Sequence, residues 1–133
     1  MASSISLLHL YAQSWEHNDA WIVGNREGLT ALRDALNRAL ETETTKPTAC
    51  LAFAADGEGY ACFIVPNDAD WQSDRWMRLY LPYTDETAKD HRKDEDVLTP
   101  YQLLEEGEYK RLYDGLRETG VAAEKKLDST PQP

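Results

Sequence analysis

The chain has 133 residues, enough for one domain that buries roughly two-thirds of the surface its unfolded form exposes. A formal net charge of −10 argues against direct contact with nucleic acid or an anionic membrane, whose phosphates would repel it, and suits a basic protein partner or plain solubility. Two cysteines do not make a disulfide framework, and Met1 to Leu10 lacks a positive region and is interrupted by His9, so neither a signal peptide nor a membrane span is expected there and a cytoplasmic location is.

In chain order, Ile5 to Trp15 is β-compatible and apolar on both faces, as in a strand interior to a sheet. Glu16-His17-Asn18-Asp19 is a polar turn leading into Ala20 to Val23, which completes a hairpin. Gly24 breaks the run and Asn25 can cap a helix over Arg26 to Leu40. On that helix Leu29, Leu32, Leu36, Ala39 and Leu40 recur at helical spacing, so the leucine stripe is expected to cover a sheet, with Asp34 and Arg38 forming an i,i+4 pair on the opposite face. The helix is expected to fray through Thr45 before Pro47.

Ala49 to Ala55 and Tyr60 to Val65 flank Asp56-Gly57-Glu58-Gly59, whose glycines permit the positive φ of a hairpin loop. With Ala55 opposite Tyr60, Cys50 and Cys62 fall on opposite faces. A shift of one residue puts them on one face but several residues apart, beyond disulfide reach at about 3.3 Å per residue, so two buried free thiols are expected. Trp76 to Tyr83 alternates as a strand, with Met77, Leu79 and Leu81 toward the core and Trp76, Arg78 and Tyr80 on a face left free for solvent. Thr84 to Asp96 reads as a solvated link or a short helix. Thr99-Pro100-Tyr101-Gln102 matches a capping box with proline at the first helical position. That helix stops near Gly107. A second runs from about Glu108 to Gly120, carrying Tyr109, Leu112, Tyr113 and Leu116 as its stripe. The expected fold is therefore α/β or α+β. About five mainly antiparallel strands carry one long helix on a face, with one or two short C-terminal helices. Residues 1–120 form the domain and 121–133 a loose tail.

No catalytic signature stands out. His9, His17 and His91 lie in separate segments without metal-ligand spacing, so neither metal nor cofactor is expected. Gly24 to Gly28 sits where a phosphate-binding loop would, but it lacks the Gly-Lys-Ser/Thr ending and Glu27 opposes an anion, so it reads as a tight turn. Surface chemistry is more informative. Between Asp85 and Glu108 stand nine acidic residues, beside the aromatic face of the expected strand. Charge for steering and aromatics for anchoring make a surface for a basic protein, with Trp71, Trp76, Arg78, Tyr80, Asp94, Glu95 and Asp96 as partner-binding residues. A solvated connection beside an edge strand protected by Arg78 would leave the same pattern.

The run Asp19-Ala20-Trp21-Ile22-Val23-Gly24-Asn25-Arg26-Glu27-Gly28-Leu29, with Leu32-Arg33, Asp56-Gly57-Glu58-Gly59-Tyr60 and Leu81-Pro82-Tyr83-Thr84-Asp85, resembles small acidic bacterial proteins of the immunity type, which neutralise toxins passed between competing cells. The matching residues look like turns and caps, so no functional residue is carried over. The resemblance implies a non-enzymatic inhibitor that occludes the active site of a cognate toxin. An acidic nucleic-acid mimic and a small enzyme built on the scattered histidines and carboxylates are the alternatives.

Overall fold

The computed structural model describes residues 5–41, 46–85 and 90–117. The expected fraying through Thr45, the Gly120 stop and the 121–133 tail lie outside the described residues. The class is α+β. Four strands form two antiparallel ribbons, β1 (Leu8–Tyr11) with β2 (Trp21–Gly24) and β3 (Thr48–Phe53) with β4 (Gly59–Ile64). A single parallel bridge, Leu7 to Phe53, joins the ribbons, with the Phe53 N–H donating to the Ser6 carbonyl at 2.8 Å. β1 itself pairs only with β2, the bridge being made by Leu7 just before it, and with Leu10 and Tyr11 exposed it is not the interior strand that its two-sided apolar pattern implies.

Helix α1 (Arg26–Ala39) starts as its sequence dictates. The Asn25 side-chain oxygen accepts the Gly28 N–H at 2.7 Å, the N-cap bond. The same amide accepts the Leu7 N–H at 3.1 Å and donates to the Ile5 carbonyl at 2.8 Å, so one residue caps the helix and pins the strand entering β1. Gly28 is required by close approach: a Cβ there would stand 1.9 Å from the Leu7 carbonyl oxygen.

The buried face of the helix keeps Leu32 and Ala39 of the expected stripe but is rotated away from its other members. Gly28, Ala35 and Ala39 are buried, Ala31 and Leu32 pack against the core around Ala35, Cys50 and Cys62, and Leu29, Leu36 and Leu40 are left exposed. Small residues let the helix axis approach β3 closely. The Thr48 hydroxyl, itself buried, then reaches the Ala35 carbonyl at 2.8 Å, and the Arg38 guanidinium reaches the Ala49 carbonyl at 3.3 Å. That contact takes Arg38 away from Asp34, which pairs with Arg33 at 3.0 Å instead.

The β3–β4 hairpin is tighter than its glycines suggest. The Gly57 N–H donates to the Ala54 carbonyl and the Ala54 N–H to the Glu58 carbonyl, both at 2.9 Å, with Gly57 at φ +90°. This three-residue loop with its glycine in the left-handed region sets Ala52 opposite Tyr60 and Cys50 directly opposite Cys62. The thiols are free and buried as expected, but the register reasoning that separated them is overturned.

The fifth strand is absent from the described residues. At Ser73 the chain turns helical instead: its carbonyl accepts the N–H groups of Trp76 and Met77 at 3.0 and 2.8 Å, giving the one-turn helix α2 (Asp74–Met77). Alternation is lost at that point, and Met77 and Leu81 are exposed rather than core. A 3₁₀ turn, Pro100–Leu103, carries the expected capping box, with the Gln102 side chain accepting the Thr99 N–H at 2.7 Å. Gly107, at φ +84°, precedes helix α3 (108–117). Among the described residues no helix is long and apolar enough to cross a membrane.

Candidate functional site

The described residues between Asn67 and Leu104 have little regular structure, and arginine side chains hold them together. Arg75 donates to the Leu103 carbonyl at 3.1 Å. Arg92 donates to the carbonyls of Met77 and Leu79 and forms a short ion pair with Asp90, whose carboxylate also accepts the Leu81 N–H. The Arg92 guanidinium and these donors hold the Asp90 carboxyl well below the usual carboxylate range. Arg78 donates to the carbonyls of Glu95 and Asp96 at 3.3 and 3.4 Å. Its own carbonyl accepts the Leu98 N–H at 2.6 Å, and Leu98 returns a carbonyl to the Tyr80 N–H at 2.7 Å.

These bonds bring together most of the residues singled out from the sequence. Asp94–Asp96 is a 3₁₀ turn with all three carboxylates exposed, anchored by buried Val97. Arg78 and the Leu79–Leu98 bridge tie this turn to the segment bearing Trp76 and Tyr80, each 42% exposed. Trp71, 67% exposed, lies in the turn just before α2, where the Ser73 N–H donates to the Asp70 carbonyl. Arg78 has a positioning role here: it is half-buried and its guanidinium is directed at backbone carbonyls.

Sequence reading missed two features. The first is the Asp90–Arg92 clip, read only as part of a solvated link; an acidic and a basic residue two apart carry no signal of the carbonyls they will meet. The second is an aromatic cluster. Tyr109 stacks on Phe63 at 5.3 Å and on Tyr113 at 5.8 Å, and meets Tyr101 edge-on at 5.4 Å. The i,i+4 tyrosines of α3 were legible as a stripe; their docking on β4 was not. All three tyrosines remain substantially exposed, with Glu105 and Glu106 exposed nearby in sequence.

The sites considered for chemistry are dispersed. His9 is half-buried, with Nε2 accepting the Ala55 N–H at 2.9 Å and Nδ1 2.6 Å from the Tyr11 hydroxyl. His17 is a turn residue at φ 62°, and His91 is exposed. Among the described residues no group of three or more His, Cys, Asp or Glu side chains is placed to hold a metal. At the α1 N-terminus the Leu7 carbonyl and the Asn25 amide occupy the turn that a phosphate loop would need. Comparison with protein families, curated proteins and solved structures gives no match.

Proposed function

We propose that this chain is a non-enzymatic inhibitor of a basic protein, acting in the cytoplasm as an immunity protein does by covering the active site of a toxin. The observation that carries the reading is the joining of the Asp94–Asp96 turn to the Trp76–Tyr80 segment through Arg78. Three exposed carboxylates supply long-range attraction for a cationic surface, on a chain already at −10. Exposed Trp71, Trp76 and Tyr80 supply large contact area with little rotamer freedom to lose.

The two parts act on different rates. Reversing Asp94, Glu95 and Asp96 to lysine slows association and flattens its salt dependence, because exposed charges act through a screened field. Trp76→Ala or Tyr80→Ala speeds dissociation instead, by about 30-fold if the residue contributes about 2 kcal/mol. The test captures the partner from host lysate and follows binding kinetics for the three variants, each first shown to be folded. Retention of no protein, or charge reversal that leaves association unchanged, refutes the reading. Tight binding of a small molecule with turnover would put an enzyme in its place.

A further inference from the structure

The β3–β4 register pairs Cys50 with Cys62 directly across the hairpin, beneath the alanine face of α1. Bonding alternates along an antiparallel pair, and Ala54 bonds to Glu58. Four residues further along β3, Cys50 and Cys62 therefore form a hydrogen-bonded pair, with Cα atoms about 5.5 Å apart. Disulfides span about 4.4–6.8 Å between Cα atoms, which this pairing meets, and a shift of about 1 Å brings the Cβ atoms within bonding geometry. Residues directly opposite across a ribbon project from the same face, so the two thiols face each other under α1.

We propose that Cys50 and Cys62 are a redox-active dithiol that a small hydroperoxide converts to a cross-strand disulfide. The site fits a small oxidant because both thiols are buried, with Ala31 and Ala35 packed over them. Pairing of the two thiols lowers Cys62 and, with burial, pushes Cys50 up, which makes Cys62 the attacking sulfur. The Cys62 thiolate attacks one peroxide oxygen and the O–O bond breaks. The departing hydroxide takes up the proton Cys62 released and leaves as water. The Cys62 sulfenic acid then meets the Cys50 sulfur: an S–S bond forms, the S–O bond breaks, and hydroxide leaves with the Cys50 proton as a second water. Two electrons pass from the thiol pair to the peroxide, and Cys50 intercepts the sulfenic acid before further oxidation.

The test treats the intact chain with hydrogen peroxide, quenches, unfolds it and blocks the remaining thiols before mass mapping. The expected result is loss of both thiols together, a monomer lighter by two hydrogen atoms, a Cys50–Cys62 linked peptide, and recovery of both thiols with dithiothreitol. In Cys50→Ser, Cys62 should instead give a sulfenic acid trapped by dimedone. Two thiols still free in the treated wild type, disulfide-linked dimers, or oxidation of Cys62 to sulfinic acid with Cys50 untouched would each overturn the proposal.

Discussion

Asn25 is the residue on which the local order of the N-terminal half converges, and Asn25→Ala measures how much. Its oxygen accepts from Gly28 and Leu7 and its amide donates to Ile5, all three bonds partly buried. Losing the cap alone costs about 1 kcal/mol. The Leu7 N–H and the Ile5 carbonyl keep the 3.0 Å bond they make to each other, so losing their Asn25 partners adds about 0.5 kcal/mol each. The sum is about 2 kcal/mol, at the top of the range for cap substitutions. Asn25→Asp keeps both acceptor contacts but turns a carboxylate oxygen toward the Ile5 carbonyl, so it should cost about 1 kcal/mol. Urea unfolding followed by far-ultraviolet circular dichroism, with the slope unchanged, gives both values. If Asn25→Ala falls within about 0.5 kcal/mol of wild type, or Asn25→Asp costs as much as the alanine, the residue is a surface cap and not a hub.

Gly28→Ala should destabilise by about 3 kcal/mol despite alanine's better helix propensity, since its Cβ would meet the Leu7 backbone; a higher melting temperature would show that β1 can move aside. Leu32→Ala should cost about 2 kcal/mol and Leu36→Ala under about 1 kcal/mol, and equal denaturant midpoints would return the leucine stripe to the core. Asp90 has a folded-state proton affinity depressed by Arg92, so its contribution is complete above the unfolded carboxylate value and is lost as pH falls below about 4. Asp90→Asn should therefore lower stability at pH 7 and have progressively less effect toward pH 3, which denaturant titrations across that range can check.

How far the sequence could be read depended on whether each signal was local. Asn25 as a cap, the Thr99–Gln102 capping box, the Glu16–Asp19 turn and the Gly57 loop are decided within a few residues, and each is in place. The leucine stripe misled because periodicity reports an apolar face without saying how near the neighbour lies. Here β3 approaches closely enough that alanine and glycine make the contact and Leu29 and Leu36 are displaced to the rim. The Cys50–Cys62 pairing was out of reach because it depends on loop length, and one loop residue more or fewer moves the opposing partner. At Trp76 to Tyr83 a period-2 pattern met a competing local signal: Ser73 and Asp74 open a helix that takes up Trp76 and Met77. Of the residues expected to bind a partner, Trp76, Arg78 and Tyr80 are brought beside Asp94, Glu95 and Asp96 all the same, since Arg78 and Leu98 join their two segments.

That joining explains why so much aromatic surface stays outside. A strand satisfies its carbonyls through the next strand, and a sheet thus extended needs cover for at least one face. From Arg75 to Leu81 the carbonyls of Met77 and Leu79 are satisfied by Arg92 and that of Arg78 by Leu98. The guanidinium is suited to this because its donors are fixed in a planar fork and its charge persists at any pH the protein meets. Backbone satisfaction is thereby separated from side-chain burial, and Trp76, Met77 and Tyr80 can face solvent without leaving an unpaired ladder behind them. The same arginines neutralise part of the local acidity, yet Arg78 meets Glu95 and Asp96 through their backbone carbonyls, and the Asp94, Glu95 and Asp96 residues stay exposed. A segment folded this way keeps both its charge and its aromatic area on the surface, which is the arrangement the proposed inhibitor would use to draw in and hold a basic partner.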